Sequence, residues 1–354
     1  MSAPDVLVLA QAFKETLSAG EVGEAITRGV REAGHEPRVL LGSDGGDGLL
    51  EALHGALTNV TTARVPGPLG LPVRAPVGWL NPTTAVLESR LICGLSLLSH
   101  DQRNPLRTTT EGVGVATLRA VQQGARRVYV GLGGSATMDG GLGFGRALGW
   151  QFLDKRGKPV SLGGAGLEQL VSARPAAPPG AHLVGLCDVG NRLLGAAGAR
   201  VFAAQKGATA EEETRLAGGL ERMVAVLGVD GAGHAELEGA GAAGGLGFGL
   251  VHFGGGRLEP GARWVLDRVS FDVALADASC LVVCEGGFDR TSLGGKLVGE
   301  GISRAARAGV PVVLLAPVVV GAVPAGAVVE TGGGTWDAST LAARACAGLR
   351  RALR

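Results

Sequence analysis

The chain has 354 residues, 46% of them hydrophobic, enough for two packed cores of ordinary domain size. Its 33 basic and 32 acidic residues leave a net charge of +1, so nothing favours nucleic acid or an anionic membrane surface, and a small-molecule partner is expected. Glycine, at 62 residues, is spread among apolar stretches, unlike a flexible linker or a collagen repeat.

The opening MSAPDVLVLA carries Asp5 and no basic segment, so it reads as a first strand and not as an export signal; a cytoplasmic location is expected. Apolar runs at 6–10, 39–42, 84–87, 128–130, 183–186, 281–284 and 312–316 read as parallel strands buried on both faces. Helical periodicity at 18–33, 110–123, 211–227 and 303–308 alternates with them and marks an α/β chain. Ser18 followed by Glu21 is a capping box, and Val22, Ala25, Ile26 and Val30 fall on one face of the helix it starts. Residues 310–329 are uncharged and long enough to span a membrane, but Pro311, Pro317 and Pro324 interrupt them, so two strands with a connection are expected. The cysteines, Cys93, Cys187, Cys280, Cys284 and Cys346, lack zinc spacing and read as buried thiols, and the six histidines show no ligand spacing.

The most informative stretch is VYVGLGGSATMDGGLGFGRALG at 128–149, a β-branched strand running into a loop that is nearly half glycine. Such a loop can turn backbone N–H groups toward an anion. Ser135, Thr137 and Asp139 lie among the glycines, where they could hydrogen-bond a phosphate. Gly131, Gly133 and Ala136 also satisfy G-x-G-x-x-G/A, with Asp154 about 20 residues on, so a nicotinamide-dependent dehydrogenase stays open, as does a purely structural loop. The glycines continuing through 140–145 weaken the dehydrogenase reading, because each costs roughly 0.5–1 kcal/mol in a helix interior. Polar clusters also follow other strands: Lys14 with Glu15, SDGGDG at 43–48, CDVGN at 187–191 and EGGFDR at 285–290. Each alone reads equally as a helix cap or turn; their shared place at strand ends, where open α/β sheets bind ligands, is the signal.

Taken in order, these blocks resemble the type I glycerate kinase family. The resemblance rests on FKETLSA at 13–19, SDGGDG at 43–48, RNPLRTTTEGVG at 103–114, GLGGSATMDGGLGFGRALG at 131–149, CDVGNRLLGAAGARVFAAQKGA at 187–208, GAGAAGGLGFG at 239–249 and FDRTSLGGKL at 288–297. It implies a Rossmann-like parallel-sheet domain with a second α/β domain inserted and the active site in the interdomain cleft. From the strand pattern the first domain would take 1–65 and 278–354, and the insertion 66–277. The implied activity is ATP- and Mg²⁺-dependent phosphorylation of D-glycerate, the 2-hydroxyl being favoured. A non-catalytic anion- or nucleotide-binding homologue is the remaining alternative. A homo-oligomer is compatible with the sequence; neither nucleic acid nor a membrane is expected as partner.

Three positions depart from the family pattern: Gln11 replaces an acid after the first strand, Cys284-Glu285-Gly286 is one residue short of T-G-E-G, and Asn191-Arg192-Leu193 replaces N-P-L. The chain also lacks G-x-x-x-x-G-K-[ST], so the phosphates need another cradle. Gly133, Gly134, Ser135 and Thr137 are assigned to it, with Lys206 or Lys296 supplying positive charge. Lys14, Arg103 and Asn104 are assigned to substrate, Lys14 also to catalysis, an arginine offering a carboxylate its bidentate fork. Asp44, Asp188 and Asp289 are the Mg²⁺ candidates. Of these, Asp44 and Asp188 are also catalytic candidates; Asp188 ends an apolar run and suits a general base, or else caps a helix at 192–197.

Overall fold

The computed structural model describes residues 6–13, 17–290, 292–294, 296–334 and 336–354. Its strands, in chain order, are β1 (Val6–Ala10), β2 (Pro37–Leu41), β3 (Asn59–Pro66), β4 (Pro72–Asn81), β5 (Thr84–Glu88), β6 (Arg127–Gly131), β7 (Gln151–Leu153), β8 (Ser172–Arg174), β9 (His182–Cys187), β10 (Arg257–Pro260), β11 (Cys280–Cys284), β12 (Val312–Leu315) and β13 (Ala327–Glu330). The chain is α/β and divides into two compact units. The first runs to Asp44, takes back Glu51–Ala56 and continues from Pro260 to Arg354; the second holds Gly45–Leu50 and Leu57–Glu259.

The first unit is built on an all-parallel sheet in the order β13-β12-β11-β1-β2. Alternation along β1 sends Val6, Val8 and Ala10 to one face, against Val22, Ala25 and Ile26 of helix Ala19–Glu32 and Leu341 and Ala345 of helix Ala338–Ala352. Leu7 and Leu9 face the other way, toward Phe271, Leu297 and Ile302. Helices on both faces explain why these strands read as unbroken apolar runs. The Ser18–Glu21 capping box forms as expected. So do the two strands expected in 310–329, and no helix among the described residues is long and apolar enough to cross a membrane. The helix expected at 303–308 begins earlier, at Leu297, because Gly299 and Gly301 interrupt its pattern but not its backbone. A Cβ on Gly299 would lie 2.3 Å from the carbonyl oxygen of Ser292, so close packing requires that glycine.

The second unit carries a six-stranded sheet in the order β10-β9-β6-β5-β4-β3. Strands β5, β6 and β9 are parallel, as expected, but β3-β4-β5 is an antiparallel meander that the sequence pattern did not reveal. The break Val65-Pro66-Gly67-Pro68 is the end of β3 and the start of the hairpin turn into β4: Pro66 lies opposite Pro72, and the Gly67 N–H donates to Leu71 at 2.6 Å. Leu87, Val130, Phe144, Leu183, Leu220 and Phe248 meet in one core. Helix Ala210–Ala235 is regular through the expected 211–227 and then broken at Gly228 (φ 70°, ψ −148°). All five cysteines are buried and unbridged.

Candidate active site

In the second unit, the polar residues gather where β5, β6 and β9 end at one edge. Glu88 closes β5; buried, it accepts from the Gly48 and Leu50 amides at 3.0 and 3.2 Å and so fixes the SDGGDG segment. Burial raises its pKa against the effect of those bonds. Ser89 follows, its hydroxyl donating to the Gly133 carbonyl at 3.2 Å, and Arg90 faces Asp47 at 3.8 Å. The two glycine motifs pack backbone to backbone: a Cβ on Gly131 would lie 2.4 Å from the Gly45 oxygen, and one on Gly133 2.7 Å from Gly46 Cα. Bulkier residues at those positions would part the loops.

The loop after β6 is held at several points. Leu95 donates to Gly134 and Ala136 donates to Cys93, at 2.9 and 2.8 Å, leaving the Gly134 and Ser135 amides without a backbone acceptor among the described residues. Gly134 adopts φ 55°, which turns the chain there. Lys206 is buried, 3% exposed, and its ammonium donates to the carbonyl and hydroxyl oxygens of Ser135 at 2.6 and 2.7 Å. Burial pushes it down to about 8. Thr137 is also buried, its hydroxyl donating to Ala243 at 3.4 Å. Asp139, read from the sequence as a phosphate contact, is instead fully buried and accepts from the amides of Thr110, Gly141 and Gly143 at 2.9, 3.0 and 3.2 Å. It anchors the loop from inside.

The second glycine block, 239–249, seats that loop. Ala243, Gly244 and Gly245 make a left-handed turn (φ 52°, 68° and 91°), and a Cβ on Gly244 would fall 1.8 Å from the Thr137 oxygen.

Arg103 is half-buried, and its buried Nε has no hydrogen-bond partner among the described residues. Asn104 is engaged at both ends, donating to Glu212 at 3.0 Å and accepting from the Leu106 amide at 2.9 Å. Asp188 sits half-buried directly after β9. No helix forms at 192–197; the next helical turn is Ala199–Phe202, with Gly198 at its cap, so the cap reading of Asp188 falls away. Asp154 is engaged in a turn of its own, one carboxylate oxygen accepting from the amides of Arg156 and Lys158 at 2.8 and 2.9 Å. Helix Leu142–Ala147 starts well beyond Ala136. The dinucleotide pattern is therefore a coincidence of spacing.

In the first unit, β2 lies on one side of β1 while β11, β12 and β13 run out on the other, so the strand order reverses between β1 and β11. Ligands of open α/β sheets bind outside the carboxyl ends at such a reversal. Here Gln11, standing where the family acid would be, ties the two strand ends by donating to the Cys284 carbonyl at 3.1 Å. The neighbouring Glu285 has its pKa raised, first by burial and then by the carboxylates of Asp289 and Asp44; Ser292 and Lys296 act the other way. Its Oε2 is buried with no hydrogen-bond partner among the described residues. Asp289 is exposed, Asp44 and Lys296 half-buried, and Asp289 caps the turn by accepting from the Ser292 amide at 3.2 Å. Lys14 lies outside the described residues.

The glycerate kinase family pattern matches residues 6–327. The chain belongs to the glycerate kinase family. It is thus a kinase, and its relatives are similar along most of their length. It is 39% identical over 322 residues to the glycerate kinase of Bacillus subtilis strain 168, covering 88% of this chain and 84% of that one. It is 35% identical over 305 residues to the glycerate 2-kinase of Escherichia coli K12, covering 82% and 79%. A crystal structure of a candidate glycerate kinase 2 from Salmonella typhimurium LT2 superposes with a TM-score of 0.77 at 33% identity, covering 99% of this kinase and 98% of that chain. Glu88, Ser89 and Arg90 escaped the sequence reading, although an acid ending an apolar run was the same signal that singled out Asp188.

Proposed function

We propose that this kinase transfers the terminal phosphoryl group of ATP to the 2-hydroxyl of D-glycerate. The observation that carries the reading is the loop after β6, whose Gly134 and Ser135 amides lack backbone acceptors beside a buried ammonium, the equipment a polyphosphate needs. The Escherichia coli relative named a glycerate 2-kinase supports the choice of hydroxyl.

In this reading Gly133, Gly134 and Ser135 hold phosphate oxygens. Arg103 receives the glycerate carboxylate through its unpartnered Nε–H. Asp188 takes the hydroxyl proton while the hydroxyl oxygen bonds to the γ-phosphorus; the bond from that phosphorus to the β,γ-bridging oxygen breaks and ADP leaves. Mg²⁺ would neutralise charge along the phosphates. No three His, Cys, Asp or Glu side chains converge to hold a metal among the described residues. Mg²⁺ usually takes only one or two carboxylates, its other ligands being phosphates and waters, however, and within the first unit Glu285, its Oε2 without a hydrogen-bond partner among the described residues and near Asp44 and Asp289, offers a carboxylate of that kind.

Purified protein given ATP, Mg²⁺ and D-glycerate should release ADP well above the glycerate-free rate. A folded sample releasing none overturns the proposal.

A further inference from the structure

The transfer step above leaves Lys206 without a task, yet its placement is costly. Removing an ammonium from water carries a penalty of several kcal/mol, and a neutral donor could tether Ser135 as well. The charged and titratable groups that face it are the Cys93 thiol, pushed up to about 12 and therefore neutral, and Asp139, whose carboxylate is occupied by Thr110, Gly141 and Gly143. Neither makes a hydrogen bond to Lys206, and no carboxylate forms an ion pair with it among the described residues. Its positive charge sits against Ser135, a residue whose amide has no backbone acceptor among the described residues.

We propose that Lys206 is the positioning residue of the phosphate loop: it clamps Ser135 by carbonyl and hydroxyl, and its unpaired charge strengthens the hold of the loop amides on a polyphosphate. The inference rests on the loop being the phosphate site. It has a consequence in pH, because an ammonium that burial brings down to about 8 loses its charge just above neutrality. Polyphosphate binding should therefore weaken as pH rises through that value, and a bound polyphosphate should in turn hold the proton on.

Calorimetric titration of the full chain with Mg²⁺-free ADP, without glycerate, tests this. Lys206→Met should weaken ADP binding about tenfold to a hundredfold, the range for hydrogen bonds to charged groups. Ser135→Ala, which keeps the carbonyl contact, should cost less, and the double variant should bind no worse than Lys206→Met alone, since both act through one contact. In turnover the KM for ATP should rise while the KM for D-glycerate stays within twofold. The wild type supplies a measurement that does not depend on a variant folding: its ADP affinity should fall about tenfold between pH 7 and 9.5, a range in which phosphate ionisation is nearly complete. Lys206→Met binding ADP like the wild type, or a flat wild-type pH profile, overturns the inference and leaves the loop reading standing. A wild type that binds no ADP overturns both.

Discussion

Gly244→Ala strikes the contact that seats the phosphate loop. At φ 68° an L side chain costs about 1–2 kcal/mol before any contact is counted. The added Cβ would lie 1.8 Å from the Thr137 carbonyl oxygen and 2.9 Å from Met138 Cα, both backbone atoms of the loop, so no side chain can swing aside to relieve the overlap. Overpacking of this kind adds about 1–3 kcal/mol, for a total of about 2–5 kcal/mol. In a unit of roughly 200 residues each kcal/mol moves the midpoint by about 2–4 °C, so Tm should fall by about 4–20 °C, with weaker ADP binding. Gly218 supplies the control: no atom lies within 4 Å of its Cβ position on helix Ala210–Ala235, and Gly218→Ala should stabilise by about 0.5–1 kcal/mol. Thermal unfolding followed by circular dichroism, with an ADP titration on each variant, decides the matter. Gly244→Ala melting within about 1 °C of the wild type with unchanged ADP affinity refutes the interlock.

Gly134→Val should raise the KM for ATP more than Ser135→Ala does, since it combines φ 55° with a Cβ 2.4 Å from Asp47 Oδ1; Asp47 and Arg90 are half-exposed and can yield, so unfolding should change little. Unchanged KM in both variants would move the phosphate site elsewhere. Asp188→Asn should lower kcat by about 10²–10⁴ with stability preserved, whereas near-normal kcat would shift the proton acceptor to another carboxylate. Lys206 also links stability to pH. Its folded value of about 8 lies below the ordinary 10.5, so between those values the unfolded chain holds more protons and stability rises with pH. That rise, up to about 3 kcal/mol, should be absent from Lys206→Met in urea unfolding at pH 7 and pH 10; parallel profiles would disprove it.

The strands and long helices were legible because burial on both faces leaves unbroken apolar runs, as in β1, β6 and β11. The β3-β4 hairpin was not, because Pro66, Pro72 and Pro76 mimic a break while the pairing that tolerates them is non-local. Site residues were legible as types and not as directions. Ser135 and Asp139 are polar punctuation in the same loop, yet Asp139 points into the core to hold Thr110. Lys206 was legible as a positive charge for the phosphates, and only the fold shows that it is buried and turned onto Ser135, 71 residues away. Glu88 was hidden because the amides it holds, at Gly48 and Leu50, lie some 40 residues earlier in the chain.

Phosphorus NMR of the product formed from ATP, Mg²⁺ and D-glycerate tests the central claim most directly. The account predicts ADP together with one new phosphomonoester whose phosphorus is split into a doublet by the single hydrogen on carbon 2. A triplet, from the two hydrogens on carbon 3, would contradict the choice of hydroxyl, and no new phosphomonoester would contradict the assignment of D-glycerate as substrate.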